Sequence, residues 1–301
     1  MKMNALQAGE SIAPSELIVT EAGAIYHLNL QPHQIAPNII VVGDQGRVDQ
    51  VSKHFDVIEH RTHNREFVTH TGRIGNMPIS VLSTGIGTDN IDIVLNELDA
   101  LFNIDLQTRK IKSEKTELNI IRLGTSGSLQ ADIPVDSMLI SSHGLGLDGV
   151  MHFYDAQYDD DELKLLNEFT SFANWPAETN KPYFVKAGQT LFNRITTPEM
   201  FSGITATANG FYGPQGRILR LPLKMANLNE TLHNFKSGNH RITNFEMETS
   251  ALYGLSAMLG HQSCTVCTIV ANRFKMEFSK DYKQSVNTMI SAVLERLTSG
   301  Y

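Results

Sequence analysis

Cysteine is nearly absent from this chain: its 301 residues contain two, Cys264 and Cys267. Both lie in the apolar run Cys264-Thr-Val-Cys-Thr-Ile-Val270, which reads as a strand. A redox CxxC normally opens a helix and a zinc ribbon requires a second cysteine pair, so the expectation is two buried thiols in a reducing compartment. Long apolar runs are missing too, since none approaches the roughly 18 residues that suggest a membrane span. Residues 1–20 hold Ser, Glu and Gln and no continuous apolar core, which argues against a signal peptide or anchor. A soluble, cytoplasmic protein with no membrane partner is therefore expected. Positive charge is scarce: 25 basic against 32 acidic side chains give a formal charge of −7. No basic tract reaches the scale of a nucleic-acid footprint, so nucleic acid is not expected as a partner, and an anionic ligand must be met by local arginines.

Several signatures are likewise wanting. Gly85-Ile-Gly87 lacks the third glycine of the dinucleotide fingerprint, no glycine turn continues into Gly-Lys-Ser/Thr, and no Gly-x-Ser-x-Gly elbow occurs. His60, His63 and His70 lie close in sequence without a carboxylate or histidine at metal-ligand spacing. There is no internal repeat and no proline- or serine-rich linker. With 41% hydrophobic residues the chain can bury a sizeable core, and one domain is the simplest reading.

What is present is a recurring unit of buried strand, polar turn and helix. Asn38-Ile-Ile-Val-Val42 precedes Gly43-Asp-Gln-Gly-Arg47 and a helix with Val48, Val51 and Phe55 at helical spacing. Ile79-Ser-Val-Leu82 precedes Ser83-Thr-Gly-Ile-Gly-Thr-Asp-Asn90 and a helix burying Ile91, Val94, Leu95, Leu98 and Phe102. Asn119-Ile-Ile-Arg-Leu123 leads into Arg122-Leu-Gly-Thr-Ser-Gly-Ser128, read as a strand ending in a glycine turn. Small residues let backbone N–H groups point at one oxyanion, and a guanidinium offers a planar fork to phosphate or carboxylate. A plain strand-to-helix turn is the alternative. In open α/β sheets ligands sit outside the carboxyl ends of strands, so such turns are expected to face a shared crevice. Alternating strands and helices indicate an α/β domain with a largely parallel or mixed sheet. Residues 105–117 form a charged, exposed insertion; Asp159-Asp-Asp-Glu162 starts a helix running through Leu163, Leu165, Leu166 and Phe169; and Val286 to Leu297 form a helical stripe that stops by Gly300.

Two blocks offer specificity. Asn209-Gly-Phe-Tyr-Gly-Pro-Gln-Gly-Arg217 is too rich in glycine and proline for a regular element. A flat heterocycle could stack on Phe211 while Gln215 and Arg217 bond its edge; an exposed loop with aromatic plugs is the alternative. Asn244-Phe-Glu-Met-Glu-Thr249 is expected to open a helix capped by Thr243 or Asn244. Its glutamates suit the helix dipole, and residues two apart on a helix point differently, so only one of Glu246 and Glu248 should serve a ligand, as an acceptor for sugar hydroxyls.

Taken in order, Tyr26-His-Leu28, Gly43-Asp-x-x-Arg47, His63-Asn-Arg-Glu-Phe67, Ser83-Thr-Gly-Ile-Gly87, Arg122-Leu-Gly-Thr-Ser-Gly127, Phe211-Tyr-x-x-Gln-x-Arg217, Glu246-Met-Glu248 and Asn272-Arg273 resemble the nucleoside phosphorylases, and among them the branch acting on uridine. The resemblance implies a single-domain three-layer α/β/α fold with a central mixed, twisted sheet over residues 26–301, preceded by an arm over 1–25. It implies reversible phosphorolysis of uridine to uracil and ribose 1-phosphate, a pentosyl transfer with phosphate as co-substrate and no cofactor. Phosphate would be held by Gly43, Arg47, Arg122 and Thr125, with Arg65 of the partner subunit. Ribose would be held by Thr125, Met247 and Glu248, with His27 of the partner subunit near the 5′-hydroxyl. Uracil would be read by Phe211, Gln215 and Arg217. Arg217, Gln215 and Arg122 would carry the chemistry, in a homo-oligomer whose sites are shared. Gln45 and Gly46 stand within a turn where Asp-Pro-Asp is frequent, but Gly43 and Arg47 remain. Potassium is bound in some members; Glu66 and Ile86 match that pattern, and Asn90 replaces the expected serine. Purine enzymes of this superfamily use an aspartate near Asn272, and an asparagine cannot donate a carboxylic proton. A hydrolytic nucleosidase and a non-catalytic nucleoside-binding protein are the other rivals.

Overall fold

The computed structural model describes residues 6–299. Residues 1–5 of the expected arm and the helix stop at Gly300 lie outside them. The described chain forms two compact units, one of residues up to Gly85 with Ile93–Asn119, the other of Ile86–Asp92 with residues from Ile120 onward. No helix among the described residues is long and apolar enough to cross a membrane.

In the first unit β1 (Asn38–Val42) pairs in parallel with β4 (Met77–Ser83), Ile39 opposite Ser80. Strands β2 (Val57–Asn64) and β3 (Phe67–Ile74) continue antiparallel from β4, so this sheet is mixed. Ile39, Ile40, Val41 and Val42 are all buried, as expected of a strand covered on both faces. Helix α1 (Gln45–Ser52) starts where the Asp44 carboxylate accepts the Gly46 N–H at 2.9 Å, and buries Val48 and Val51. It is shorter than its apolar spacing suggests: Phe55 lies beyond its end, though buried. Helix α2 (Thr88–Asn103) begins with residues of the second unit, and its buried stripe closes with Leu101 rather than the half-buried Phe102. The charged 105–117 segment is mostly exposed and carries only the two-residue strands β5 (Ile104–Asp105) and β6 (Lys110–Ile111).

The second unit holds β7 (Asn119–Ser128, from Ile120), β8 (Met138–Gly146), α3 (Asp160–Ala173), β9 (Tyr183–Lys186), α4 (Gln189–Ile195) and β10 (Phe201–Thr207). It continues with α5 (Leu228–Asn234), β11 (Lys236–Ser237), β12 (His240–Glu246), α6 (Thr249–Leu259), β13 (Gln262–Asn272), β14 (Glu277–Phe278) and α7 (Tyr282–Thr298). Strands β12, β10, β8, β13 and β7 are successive neighbours, and β7 also pairs with β12 at Gly127 opposite Phe245. The circuit closes, so these strands have partners on both sides. Parallel pairing of β10 with β8 and β12 alternates with antiparallel pairing of β8 with β13, so this sheet is mixed as well.

Two local readings of the sequence fail here. Strand β7 does not end at Leu123; it runs through Gly124, Thr125, Ser126 and Gly127 to Ser128, because β13 flanks it in the sheet and β12 pairs with its last residues, Gly127 and Ser128. Nor does a helix open at Asn244: that segment is the end of β12, and α6 begins at Thr249. Other expectations hold. Asp159 caps α3 in a reciprocal box with Glu162, and Leu165 and Phe169 are buried, although Leu163 faces solvent. Val286, Met289, Ile290, Val293, Leu294 and Leu297 are the buried face of α7. Cys264 and Cys267 sit unpaired and buried in β13, where burial pushes the Cys267 thiol up to about 11.

Candidate active site

The pairing of β7 with β12 brings Arg122 to Glu246 and Glu248. Arg122 Nη1 lies 3.3 Å from Glu246 Oε2 and its Nη2 bonds to Glu248 Oε2, all three side chains being buried. Burial works against the guanidinium charge, but the two carboxylates more than offset it and hold the group protonated. Burial pushes the Glu248 carboxyl up; Arg122 opposes that shift and Glu246 adds to it. Glu248 Oε1 accepts the Gly87 N–H at 3.0 Å, so the glycine turn before α2 does aim an amide at an anion, here a side-chain carboxylate. Both glutamates thus reach one guanidinium, contrary to the helical argument, because Glu246 ends a strand and Glu248 stands at the helix cap. Gly124 makes room: a Cβ there would overlap Arg122 Nη1. Between the strands Asn244 Nδ2 donates to Ser126 Oγ at 2.9 Å and its Oδ1 accepts from Thr205 Oγ1 at 2.8 Å, which keeps this end of the circuit polar. Thr125 and Met247 are half-buried neighbours of these residues in sequence.

The loop after β10 contains a single 3-10 turn, Gly213–Gln215. Gln215 is buried, and its Oε1 accepts from Arg217 Nη1 at 2.6 Å, which leaves the amide Nε2 to donate elsewhere. Arg217 also donates to the Phe211 carbonyl at 2.5 Å, and its guanidinium carbon lies 3.7 Å from the centre of the Phe211 ring. One face of the Phe211 ring is therefore covered by arginine. Burial, then the charge of Arg273, pushes the Arg217 pKa down to about 10. Arg273 received no role of its own from the sequence. It is half-buried, its Nη1 has no hydrogen-bond partner, and its Cδ would lie 3.6 Å from a Cβ on Gly127 of β7. Arg273 therefore adjoins both the strand of Arg122 and the loop of Arg217.

Asn272 faces elsewhere. Its Nδ2 donates to the carbonyls of Gln130 and Ile133 at 3.0 and 2.9 Å, and its Oδ1 accepts from the N–H groups of Phe274 and Lys275. A fully committed amide has no proton to offer a base.

In the first unit, Gly43 and Arg47 flank the start of α1, both half-buried, with the Arg47 N–H donating to the Asp44 carbonyl at 3.0 Å. Arg65 occupies the turn between β2 and β3 with φ of 55°, an unusual left-handed conformation for a non-glycine residue. Its carbonyl accepts from Gln45 Nε2 at 2.9 Å and from His63 Nε2 at 3.0 Å, and its exposed guanidinium lies 5.6 Å from the Tyr26 ring centre. His27 is held by Glu97 of α2, which pairs with its Nδ1 at 2.6 Å and accepts from the N–H groups of His27 and Leu28. Nothing in the sequence around Glu97 signals that role, since a lone glutamate on an amphipathic helix reads as solvated. Glu66 meets Ser83 through its carbonyl at 2.6 Å, and Asn90 lies in the first turn of α2. Among the described residues no group of three or more His, Cys, Asp or Glu is arranged to hold a metal ion.

These features define an α/β protein with a buried arginine between two carboxylates and a second arginine on a glycine-rich loop, with Arg273 beside it. The chain belongs to the phosphorylase superfamily, whose family model matches residues 37–298. It is 30% identical to a uridine phosphorylase of Thermococcus kodakarensis over 90% of this chain and 86% of that one. It is 28% identical to a uridine phosphorylase of Haemophilus influenzae over 90% of this chain and 96% of that one. A crystal structure of a Trypanosoma brucei nucleoside phosphorylase that shows uridine phosphorylase activity superposes with a TM-score of 0.83 at 30% identity, covering 94% of this chain and 100% of that one.

Proposed function

We propose that this chain is a pentosyltransferase that catalyses the reversible phosphorolysis of uridine to uracil and ribose 1-phosphate. The observation that carries the reading is the division of polar chemistry within the second unit. A carboxylate with acceptor capacity for hydroxyls adjoins an arginine suited to phosphate, while an amide and two arginines suit a heterocycle edge. As the glycosidic bond breaks, positive character develops on the ribose and negative charge spreads over the uracil. Gln215 and Arg217 meet that negative charge, with Arg273 close behind, and stabilisation aimed at the transition state raises turnover. Arg122 and Thr125 position phosphate, Met247 and Glu248 hold ribose, and Phe211 is freed to stack uracil when Arg217 swings to the base edge. Holding both substrates in one complex replaces a chance encounter with a directed attack. In the first unit Gly43 and Arg47 take the phosphate role that the resemblance implies, and Arg65 and His27 act on the site of a partner subunit. Phosphate is a co-substrate, no cofactor takes part, and the location is cytoplasmic. Asn272 speaks against a purine substrate, because its amide is wholly engaged by backbone groups.

Uridine consumption with and without phosphate tests this reading. Loss that requires phosphate and yields uracil is expected; loss without phosphate would indicate a nucleosidase, and no loss a binding protein. In the same assay Arg217→Ala should lower kcat/KM for uridine by at least about a hundredfold if Arg217 is a principal transition-state donor. A wild-type value in that variant would remove Arg217 from the site.

A further inference from the structure

The two glutamates beside Arg122 are not equivalent. Glu246 is saturated: its Oε1 accepts from Thr207 Oγ1 at 2.7 Å and from the Thr249 N–H at 3.1 Å, and its Oε2 accepts the N–H groups of Glu248 and Thr249 at 2.9 and 3.0 Å. With Arg122 Nη1 at 3.3 Å, four donors surround a carboxylate that has about four lone-pair sites, the Thr249 N–H being shared between its two oxygens. Thr207 is itself fixed, because its hydroxyl also accepts the Ser250 N–H at 3.0 Å. Glu246 therefore joins the end of β12, the end of β10 and the unsatisfied N–H groups at the start of α6. The Glu248 carboxylate accepts from two donors in this structure, Arg122 and the Gly87 N–H, and meets the Glu246 carboxyl. It keeps room for new donors.

We propose that Glu246 is a positioning residue for the anion site, an immobile carboxylate that holds the Arg122 guanidinium in its seat while Glu248 exchanges its grip on Arg122 for sugar hydroxyls. The inference rests on the phosphate role proposed for Arg122 and extends it. With a carboxyl on each of its terminal nitrogens, Arg122 has both occupied, and an entering anion must compete for them. If Glu248 turns to ribose, Arg122 keeps Glu246 and the Cys267 thiol at Nη1 and regains a free Nη2 for phosphate. Without Glu246 the guanidinium would be held by Glu248 and by a weak contact of its Nη1 with Cys267 Sγ at 3.5 Å, and releasing Glu248 would leave only that thiol contact to fix its position. Glu246 thus acts through Arg122 on phosphate, and it has no free acceptor with which to act on the nucleoside directly.

Steady-state kinetics of Glu246→Gln test this, because glutamine keeps the shape and one acceptor oxygen for α6 but loses the charge. Phosphate KM should rise about tenfold, equivalent to roughly 1.4 kcal/mol, while uridine KM stays within about twofold. Thr207→Val, which frees the same carboxylate from its other side, should show the same split with a smaller amplitude. A purely structural role would lower the melting temperature and leave both KM values alone. A folded Glu246→Gln protein with unchanged phosphate KM overturns the proposal, as does an equal rise in both KM values. Should Glu246→Gln fail to fold, an unchanged phosphate KM in folded Thr207→Val overturns it. Wild-type protein that neither consumes uridine with phosphate nor binds inorganic phosphate in calorimetry would instead defeat the proposed function, and this inference with it.

Discussion

At the scale of single residues, the positions that matter most are those where one side chain is made possible by the absence of another. Gly124 is such a position: β7 needs no left-handed turn there, yet any Cβ would overlap the Arg122 guanidinium. Since Glu246 and Glu248 hold that guanidinium from both nitrogens, it cannot step aside without breaking an ion pair. Gly124→Ala is therefore expected to preserve the fold at an overpacking cost of about 1–3 kcal/mol and to weaken phosphate binding at least about tenfold in calorimetry. Phosphate affinity equal to wild type would show that Arg122 does not act from this seat. The same logic applies to Gly127, where the lack of a side chain lets Arg273 lie along β7.

Among the elements, α3 shows how far local sequence can specify structure. The Asp159 carboxylate accepts from the N–H groups of Asp161 and Glu162, and the Glu162 carboxylate returns to the Asp159 N–H at 2.9 Å. The Glu162 N–H, with Lys186 next, holds the Asp159 carboxyl below its ordinary value. A carboxyl depressed in the folded state contributes stability that is present above its unfolded pKa, about 3.9, and is lost as pH falls through the folded value. Asp159→Ala should thus cost about 1 kcal/mol in denaturant unfolding at pH 7, with the difference from wild type shrinking below about pH 4. A deficit that persists undiminished into that acid range would mean the loss comes from packing. Helix α6 is the contrasting case. Its N–H groups are served by Glu246 from the preceding strand and by Thr207 from β10, and no residue inside the helix signals where it begins.

For the whole molecule, the net charge of −7 gives anionic phosphate no favourable long-range field, so local arginines must capture it. Arg65 is exposed on a tight turn and His27 is pinned by Glu97; under the proposed function both act on the site of a partner subunit. A twofold pair is the smallest closed assembly in which such residues can be exchanged. Arg65→Ala and Arg122→Ala proteins, each weakly active, should regain activity when unfolded together and refolded as mixed oligomers. In a random mixture of dimers half are heterodimers, and each heterodimer has one site free of both substitutions. Confirmed subunit exchange without recovery would exclude Arg65 from a neighbour's site.

The sequence by itself determined the inventory of chemistry and the elements whose signals are local. Buried strands, the capping box of α3, the stripe of α7 and the glutamine and arginine of the glycine-rich loop could be read because neighbours a few positions apart decide them. Only the tertiary structure decided which groups each carboxylate meets. Asn244-Phe-Glu-Met-Glu-Thr249 has the composition of a capped helix start, and Gly124 to Gly127 that of a turn, but Asn244 to Glu246 and Gly124 to Gly127 are strand, and β7 and β12 pair where these segments meet. That pairing joins Arg122 to Glu248 across 126 positions. Local propensities of a few tenths of a kcal/mol per residue yield to a closed ladder of strand hydrogen bonds, and no short window of sequence contains the partner strand.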